Sequence, residues 1–434
     1  MTFKDFTITL ATSLHAQRWT AKDLEQHLLL RLPQPHRHAA AKIAASLINA
    51  HPKAYAPSPP SIAETLKPLR AVQRLFEYVQ QHGDWPDQYV EPNRFTPLPV
   101  FEDLSIPPLD NTDALAEWLA LDPHELVRFA DLRGLSNATD NAFAPHYRFQ
   151  MHRKRDGTQR LIEEPKPLLK KLQRRVLQGI LNSVPPSPSS YGFVPGRNCI
   201  RAAAQHAGED VLVCFDLKLF FPSIRIPRIT GLFRCLGYPE PVARTLAGLC
   251  TLETPRHIRS KVPMEAHRLA QRHLPQGAPT SPALANLCCF NMDKRLAALA
   301  RSLDANFTRY ADDLAFSGDR HIVTTLRHAV PDIVGDERFH LNTEKTRVAY
   351  RHQSQVCTGI TVNEKINIPR RDYDLLKAAI HRLSDPQNAD RNIPAILNAL
   401  CGRISWVENL NPAKGAILRR RFDAALAVTT SPHP

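Results

Sequence analysis

The ten residues FTRYADDLAF, Phe307–Phe316, decide how this chain folds. They are apolar on both sides of a polar centre, a pattern that predicts a β-hairpin with Asp312 and Asp313 at its turn. About a hundred residues upstream, the apolar run Val211–Phe215 predicts a buried strand that ends at Asp216. Because carboxylates are costly to desolvate unless a cation compensates them, three acids against apolar strands predict a bound cation.

Magnesium is the cation that suits these carboxylates. Mg²⁺ prefers oxygen ligands and usually binds through one or two carboxylates plus substrate phosphates. Two such ions about 4 Å apart can activate an attacking hydroxyl and stabilise a leaving oxygen together. We therefore predict that Asp216, Asp312 and Asp313 are catalytic and bind two Mg²⁺ ions. The alternative for Asp312 and Asp313, taken without Asp216, is a solvated turn.

Length and charge narrow the class of protein. The chain has 434 residues, enough for two or three structural units, and a net charge of +14. The first 140 residues contain 17 acidic and 13 basic side chains, so the positive excess lies in residues 141–434. A basic surface of this size predicts a polyanionic partner, either nucleic acid or an acidic membrane surface.

Three function classes are disfavoured by the pattern of apolar residues and cysteines. No stretch approaches the 18 to 20 consecutive apolar residues of a membrane span. The first residues lack the basic region and apolar core of a secretory signal, so we expect a cytoplasmic protein without membrane partners. The eight cysteines include no Cys-x-x-Cys pair, which argues against a zinc site or a disulfide framework.

Proline clusters divide the chain. Helical apolar spacing covers residues 17–50, broken at Pro33 and Pro35, and a second helical stretch runs from Ile62 to His82. Six prolines between residues 86 and 108 then mark an extended connector. We therefore predict an N-terminal helical extension with its connector over residues 1–110.

Seven motifs together resemble those of reverse transcriptases, in the order and at the spacing of that family. The motifs are the fingers segment Gly157–Ile162 with Pro165, the next segment Tyr191–Arg197, the palm segments Phe215–Ile224, Leu274–Pro282 and Tyr310–Asp313, the segment Leu341–Thr346 and the primer-grip segment Val356–Asn363. The resemblance covers about residues 140–425 and implies an RNA-directed DNA polymerase, a nucleotidyltransferase. It also implies the backbone carbonyl of Leu217 as a further metal ligand and Mn²⁺ as a possible substitute ion.

The implied fold is an α+β right-hand polymerase with fingers, palm and a small helical thumb. Fingers and palm are predicted over residues 111–365, and the thumb with a C-terminal tail over residues 366–434. The thumb is read from two helices, Tyr373–Leu383 and Ile393–Leu410.

The resemblance implies a nucleotide site. The predicted nucleotide-binding residues are Arg160, Phe220, Phe221, Gln276, Gly277 and Lys345. A guanidinium matches phosphate oxygens, so Arg160 is expected to hold the triphosphate; an exposed strand residue is the alternative. The ring of Phe221 is expected to exclude a ribose 2′-OH, with core packing as the alternative. Lys345 is expected near the departing pyrophosphate, or else in solvent.

A second set of residues is predicted to contact the RNA template and the DNA product. These residues are Lys170, Arg174, Arg197, His206, Thr358, Gly359, Arg370, Arg371 and Lys377. Most of them are cations suited to the sugar–phosphate backbone. For His206 the alternative is an ordinary histidine on a helix surface.

Within its family the chain most resembles bacterial retron reverse transcriptases, compact enzymes that copy a cognate structured noncoding RNA into a branched, RNA-linked single-stranded DNA (msDNA). Two retron hallmarks occur in altered form: Cys357–Gly359 in place of Val-Thr-Gly, and Ala202–His206 in place of Asn-Ala-x-x-His. The resemblance implies deoxynucleoside triphosphates as substrates and a role in antiphage defence. The alternatives are another bacterial defence-associated or group II intron-like reverse transcriptase, and a non-catalytic polymerase-derived RNA-binding scaffold.

The N-terminal extension has no motif that names a chemistry. The acidic excess of the first 140 residues favours an effector protein over RNA as the partner of residues 1–110. The segment His36-Arg37-His38 suggests a metal site, but no further ligands flank it, so we interpret it as a solvated loop.

Overall fold

The computed structural model describes residues 2–15, 17, 19–52, 57, 59–83, 94–132, 134, 146–153, 157, 159–263, 265–383 and 394–430. Their β-strands are β1 Tyr147–Arg153, β2 Gln159–Pro165, β3 Val211–Asp216, β4 Asn306–Tyr310, β5 Asp313–Gly318, β6 Arg347–Tyr350, β7 Val356–Cys357 and β8 Ile360–Thr361. Their α-helices are α1 Phe3–His15, α2 Ala21–Arg31, α3 Ala40–Ala50, α4 Pro59–Leu66, α5 Arg70–His82, α6 Thr112–Leu119, α7 Pro123–Ala130, α8 Pro167–Gly179, α9 Cys199–Ala204, α10 Phe220–Ser223, α11 Ile226–Cys235, α12 Glu240–Cys250, α13 Arg256–Arg259, α14 Ala266–Leu269, α15 Ser281–Cys288, α16 Phe290–Ser302, α17 Ile322–Asp336, α18 Arg370–His381, α19 Pro394–Leu410 and α20 Pro412–Thr430.

The chain divides into two compact units, each made from two stretches of sequence. Unit 1 contains Met1–Pro185 and Phe221–Cys288, and unit 2 contains Pro186–Phe220 and Cys289–Pro434. The polypeptide therefore passes between the units three times. The boundaries predicted from sequence at residues 110 and 365 stay predictions.

The first five helices of unit 1 share their own apolar core. Its fully buried side chains include Leu10, Leu28, Leu47 and Leu66. The sequence predicts one continuous helical stretch from Ile62 to His82, but the structure ends α4 at Leu66 and begins α5 at Arg70. Pro68 lies in the intervening turn, and proline disfavours helical backbone at the residue before it, which explains the break.

The rest of unit 1 combines a two-stranded hairpin with helices. Strands β1 and β2 pair in antiparallel register from Tyr147 opposite Pro165 to Arg153 opposite Gln159. The guanidinium of Arg272 donates hydrogen bonds to the carbonyls of Ala130, Gly248 and Thr251 at 2.8–3.0 Å. One half-buried cation thereby joins α7, α12 and the loop after α12.

Unit 2 is organised by a four-stranded antiparallel sheet in the order β4-β5-β3-β6. Strand β3 pairs on both sides, which explains why its sequence is a continuous apolar run rather than an alternating one. The C-terminal helices α18, α19 and α20 share a core that includes Leu376, Ile404 and Leu418. The sequence predicts two thumb helices, and the structure adds a third, α20.

Among the described residues we find no helix with the length and apolar character needed to span a bilayer.

Candidate active site

Three aspartates meet at one end of the sheet in unit 2. Asp216, the last residue of β3, lies directly opposite Asp313, the first residue of β5. Directly opposed residues of antiparallel strands project from the same face, so these two carboxylates are neighbours. Asp312 lies in the turn before β5, where its carbonyl accepts a hydrogen bond from the Leu217 amide at 2.9 Å. The structure thus brings the three predicted acids together.

The charges at this end of the sheet are only partly balanced. The pKa of Asp313 is raised to about 6, first by loss of hydration among the surrounding residues and then by repulsion from Asp312 and Asp216. The Lys345 Nζ atom lies 2.9 Å from Asp216 Oδ1. That hydrogen bond, together with the nearby carboxylates, raises the pKa of Lys345 and keeps it protonated. The Lys345 ammonium and the Arg347 guanidinium both act on Asp313, so two cations oppose three carboxylates and negative charge is left for a bound cation.

The donor set fits divalent magnesium. In the part of the chain that the structure describes, no three His, Cys, Asp or Glu side chains are placed to hold a metal ion by themselves. Mg²⁺ usually binds through one or two carboxylates, with waters and substrate phosphates as the remaining ligands, so an open set suits it. Leu217 forms an isolated β-bridge with Leu341. The carbonyls that accept the two hydrogen bonds of this bridge are those of Asp216 and His340, so the Leu217 carbonyl takes no part in it. The role of the Leu217 carbonyl as a ligand stays a prediction.

A buried ion pair that the sequence analysis missed supports the acidic turn. Arg309 and Asp293 are both fully buried, and the guanidinium forms two hydrogen bonds to the carboxylate at 2.6 and 2.8 Å. The Nη1 atom of Arg309 also donates to the carbonyl of Ala311 at 3.1 Å. Ala311 has a φ of 55°, an uncommon value for a residue other than glycine. Arg309 therefore holds the turn that carries Asp312.

A second support is a close backbone contact at Gly192. A Cβ atom at this position would lie 2.7 Å from the amide nitrogen of Ala311. The loop that contains Gly192 pairs with edge strand β4: the Arg309 amide donates to Ser189 and the Tyr191 amide donates to Arg309, both at 2.8 Å. The loop therefore covers the free edge of the sheet beside the acidic turn.

Arg197 has an internal role in this loop. Its Nη1 atom donates to the carbonyls of Ser187 and Ser190 at 2.8 and 2.7 Å. Its guanidinium also lies over the Tyr191 ring, 5.9 Å from the centroid. The sequence predicted a nucleic-acid contact for Arg197; the structure shows that it ties the loop together.

The predicted nucleic-acid contact of His206 is wrong. The side chain is fully buried, and its Nδ1 and Nε2 atoms lie 2.8 Å from Ser317 Oγ and 2.7 Å from Thr308 Oγ1. Both ring nitrogens are occupied inside the fold, so none is left for RNA. Burial lowers the pKa of His206 to about 4, which keeps the ring neutral. The sequence pattern could not show this because His206 follows the end of α9.

The remaining predicted residues of unit 2 lie on its surface, in a tight turn or, in the case of Phe220, in the interior. Thr358 and Gly359 connect β7 to β8 with φ values of 47° and 81°, and the Thr358 hydroxyl donates to the Cys357 carbonyl at 2.8 Å. The cations Arg370, Arg371 and Lys377 are exposed on α18. Phe220 is buried, with its ring centroid 6.0 Å from that of Phe339.

The other predicted nucleotide-binding residues belong to unit 1. Arg160 is exposed on β2, and Phe221 is half-buried at the start of that unit's second stretch. The Gln276 carbonyl accepts a hydrogen bond from the Glu163 amide at 2.9 Å. Gly277 has a φ of 143°, and a Cβ atom there would lie 3.0 Å from the Glu163 carbonyl. Gln276 and Gly277 are therefore held against β2, the strand that carries Arg160.

Behind this loop lies a buried acid. Glu163 is 1% exposed and accepts hydrogen bonds from Thr254 at 2.5 Å and from His273 at 3.1 Å.

On α8 of the same unit, Lys170 contacts Glu164 at 2.7 Å and Arg174 is exposed. Arg174 is thus the freer of the two predicted phosphate contacts.

Comparison with known proteins agrees with the motifs. Residues 152–368, half of the chain, match the family model described as reverse transcriptase (RNA-dependent DNA polymerase). This match confirms the predicted α+β right-hand polymerase fold.

Three relatives are retron reverse transcriptases. The chain is 41% identical over 271 residues to retron Mx65 reverse transcriptase from Myxococcus xanthus, covering 62% of each protein. It is 38% identical over 331 residues to retron Mx162 reverse transcriptase from the same organism (71% of this chain, 65% of the relative). It is 33% identical over 226 residues to retron Ec86 reverse transcriptase from Escherichia coli (52% and 65%). The chain thus spans somewhat less than two thirds of the length of each. It belongs to the reverse transcriptase (RNA-dependent DNA polymerase) family and resembles the bacterial retron type within it.

Proposed function

We propose that this protein is an RNA-directed DNA polymerase of the retron type, which copies a cognate structured noncoding RNA into an RNA-linked single-stranded DNA. The observation that carries the proposal is the register pairing of Asp216 with Asp313, with Asp312 in the adjoining turn. The retron relatives support the type, and the basic excess of residues 141–434 supports a nucleic-acid substrate.

In this mechanism Asp216, Asp312 and Asp313 would hold two Mg²⁺ ions, for which Mn²⁺ could substitute. When bound, such ions would supply activation of a primer hydroxyl and charge stabilisation for a leaving pyrophosphate. Lys345 stays protonated beside Asp216 and can neutralise charge or give a proton to the pyrophosphate. Arg160 is assigned to the triphosphate, since a guanidinium matches phosphate oxygens in pairs. The ring of Phe221 is assigned to the exclusion of a ribose 2′-OH.

The biological setting belongs to the same proposal. By resemblance to retrons we assign the protein to antiphage defence in the cytoplasm, with its own noncoding RNA as template and primer. An effector protein is the proposed partner of residues 1–110. A group II intron-like enzyme and another defence-associated reverse transcriptase remain the competing enzyme classes. Sequencing of the RNA that copurifies with the protein distinguishes a retron from an intron-encoded enzyme. A structured RNA with inverted repeats indicates a retron, and intron boundaries indicate the group II intron-like class.

Primer extension on an RNA template tests the catalytic assignment. The double variant Asp312→Asn with Asp313→Asn should lose incorporation of deoxynucleotides, because the amides supply no negative charge, while RNA binding stays unchanged. The matched control is Asp319→Asn with Asp332→Asn, which neutralises two exposed acids of the same unit. Incorporation that persists in the first variant contradicts the assignment. A wild-type protein that binds RNA but extends no primer indicates the non-catalytic scaffold.

A further inference from the structure

Four aromatic rings form a row on the surface of the N-terminal helices. His36 and His38 come from the 3₁₀ segment Gln34–Ala39, and Tyr78 and His82 come from α5. Neighbouring ring centroids are 6.5 Å apart for His36 and His38, 5.0 Å for His36 and Tyr78, and 4.2 Å for Tyr78 and His82. His38 and His82, at the two ends, are exposed, and the two inner rings are half-buried. We call this set the ring row.

Helix α5 extends the ring row with two cations. Arg70, Arg74, Tyr78 and His82 are spaced four residues apart, so they follow one side of the helix. Both arginines are exposed, whereas the core-facing residues of α5, such as Leu75, are buried. Positive charge and stacked rings therefore share one surface.

The charge of these helices differs from that of the connector that follows. Residues 1–83 contain ten Lys and Arg but five Asp and Glu. The acidic excess of the first 140 residues lies in residues 84–140, where twelve acids accompany three basic residues. The charge argument for a protein partner therefore applies to the connector and not to the helices that carry the ring row.

We propose that the ring row, with Arg70 and Arg74, binds single-stranded nucleic acid through residues other than those assigned to nucleotide addition. Proteins usually hold unpaired bases by stacking them on aromatic side chains, because every base has a π-face, while neighbouring cations bind the phosphates. Tyr78 and His82 stack face to face, and His36 meets the Tyr78 ring edge to face, so the rings form a line instead of converging on one point. In the described residues no group of three metal-ligating side chains includes them, so the geometry favours stacking over a metal site.

Photocrosslinking with the full-length protein locates the surface. The probe is a 20-nucleotide single-stranded RNA that contains 5-iodouracil, irradiated without metal or nucleotides, and the crosslinked peptides are mapped by mass spectrometry. Crosslinks are expected in residues 34–39 and 70–82, and should be much weaker with a blunt duplex of the same length. Absence of crosslinks in both segments overturns the proposal. A ring row that binds a protein instead of RNA would give this negative result.

Two sets of variants separate stacking from charge. Tyr78→Leu should lower the crosslinking yield in these segments about tenfold, whereas Tyr78→Phe, which keeps the ring, should retain it. Arg70→Ala with Arg74→Ala should lower the yield and reduce the salt dependence of RNA affinity by about 1.4 in the log–log slope. The matched control is Lys22→Ala with Lys42→Ala, which removes two exposed cations that do not belong to α5. Equal yields in Tyr78→Leu and Tyr78→Phe contradict the stacking.

The test stays distinct from that of nucleotide addition. Extension of a pre-annealed primer–template at saturating concentration should be unchanged in Tyr78→Leu, because the proposed surface does not enter the chemical step. A wild-type protein that fails to extend primers can still crosslink at the ring row. A ring-row variant with normal crosslinking but slow extension contradicts the separation of the two sites.

Discussion

The two faces of the β4–β5 hairpin are held by different chemistry. Side chains alternate along each strand, so Thr308, Ser317 and Asp313 lie on one face, and Arg309 lies on the other. On the first face the neutral ring of His206 joins the two strands through their hydroxyl groups. On the second face the charged pair of Arg309 and Asp293 holds the turn.

The two faces differ in how their supporting side chains respond to acid. Burial alone would lower the pKa of Arg309, but Cys289 and Asp293 outweigh this and raise it, so the guanidinium keeps its charge. The pKa of His206 is lowered to about 4, and its contacts depend on a neutral ring. The guanidinium behind the acidic turn therefore keeps its charge in acid, whereas the His206 contacts on the face that bears the carboxylates weaken as the ring gains a proton.

Removal of one partner of the ion pair should have the largest effect. Asp293→Ala leaves Arg309 buried without its carboxylate, so the free energy of unfolding should fall by about 3–5 kcal/mol. Urea denaturation measures the loss. Replacement of both partners, Arg309→Met with Asp293→Leu, should restore most of the stability, because an apolar pair needs no desolvation.

The same double variant tests whether the pair also positions the turn. It lacks the hydrogen bond to the Ala311 carbonyl, so kcat for nucleotide addition should fall roughly tenfold to a hundredfold while KM and RNA affinity stay unchanged. Wild-type kcat in a stable double variant would show that the pair only stabilises the fold.

Added volume at Gly192 should have an intermediate effect. Gly192→Ala places a methyl group 2.7 Å from the Ala311 amide, so the loop or the turn must move, at a cost of about 1–3 kcal/mol. Primer extension should slow more than the loss of stability explains. Gly402→Ala is the control, because its added methyl meets no atom within 4 Å. Equal kinetics in the two variants would argue against a close contact at the turn.

Acid should have the smallest effect. Because the folded-state pKa of His206 lies below the unfolded value of about 6.5, the unfolded chain binds the proton more tightly between these values. His206 should therefore reduce the free energy of unfolding by about 1 kcal/mol between pH 7.5 and pH 5.5. His206→Gln cannot titrate, so its unfolding free energy should change less over this range. Identical pH profiles for the two proteins would contradict the assignment.

The sequence predicts this hairpin better than it predicts the groups that hold it. The acids and the strand of Asp216 follow from local patterns, since apolar runs and a polar turn are read from adjacent residues. The pairing of Arg309 with Asp293 joins a strand to a helix and has no periodicity. Its one signal is Arg309 within the short strand Asn306–Tyr310, since Asp293 lies among other charged residues of the helix Phe290–Ser302.

The N-terminal region shows the same limit. The proline that divides α4 from α5 is visible in the sequence, so the break could have been predicted. The ring row could not, because it brings together two segments about forty residues apart that share no pattern. Contacts between distant segments are the part of the site that local patterns do not contain.

The chain passes between the two units three times, and this arrangement has a consequence for biosynthesis. Strand β3 leaves the ribosome about a hundred residues before its partner β5, and β6 follows later still. Until then an apolar central strand has neither neighbour, and such an exposed segment binds chaperones or aggregates. Slow translation across residues 216–313 would prolong that exposure, so codon choice in this stretch should affect the yield of soluble protein.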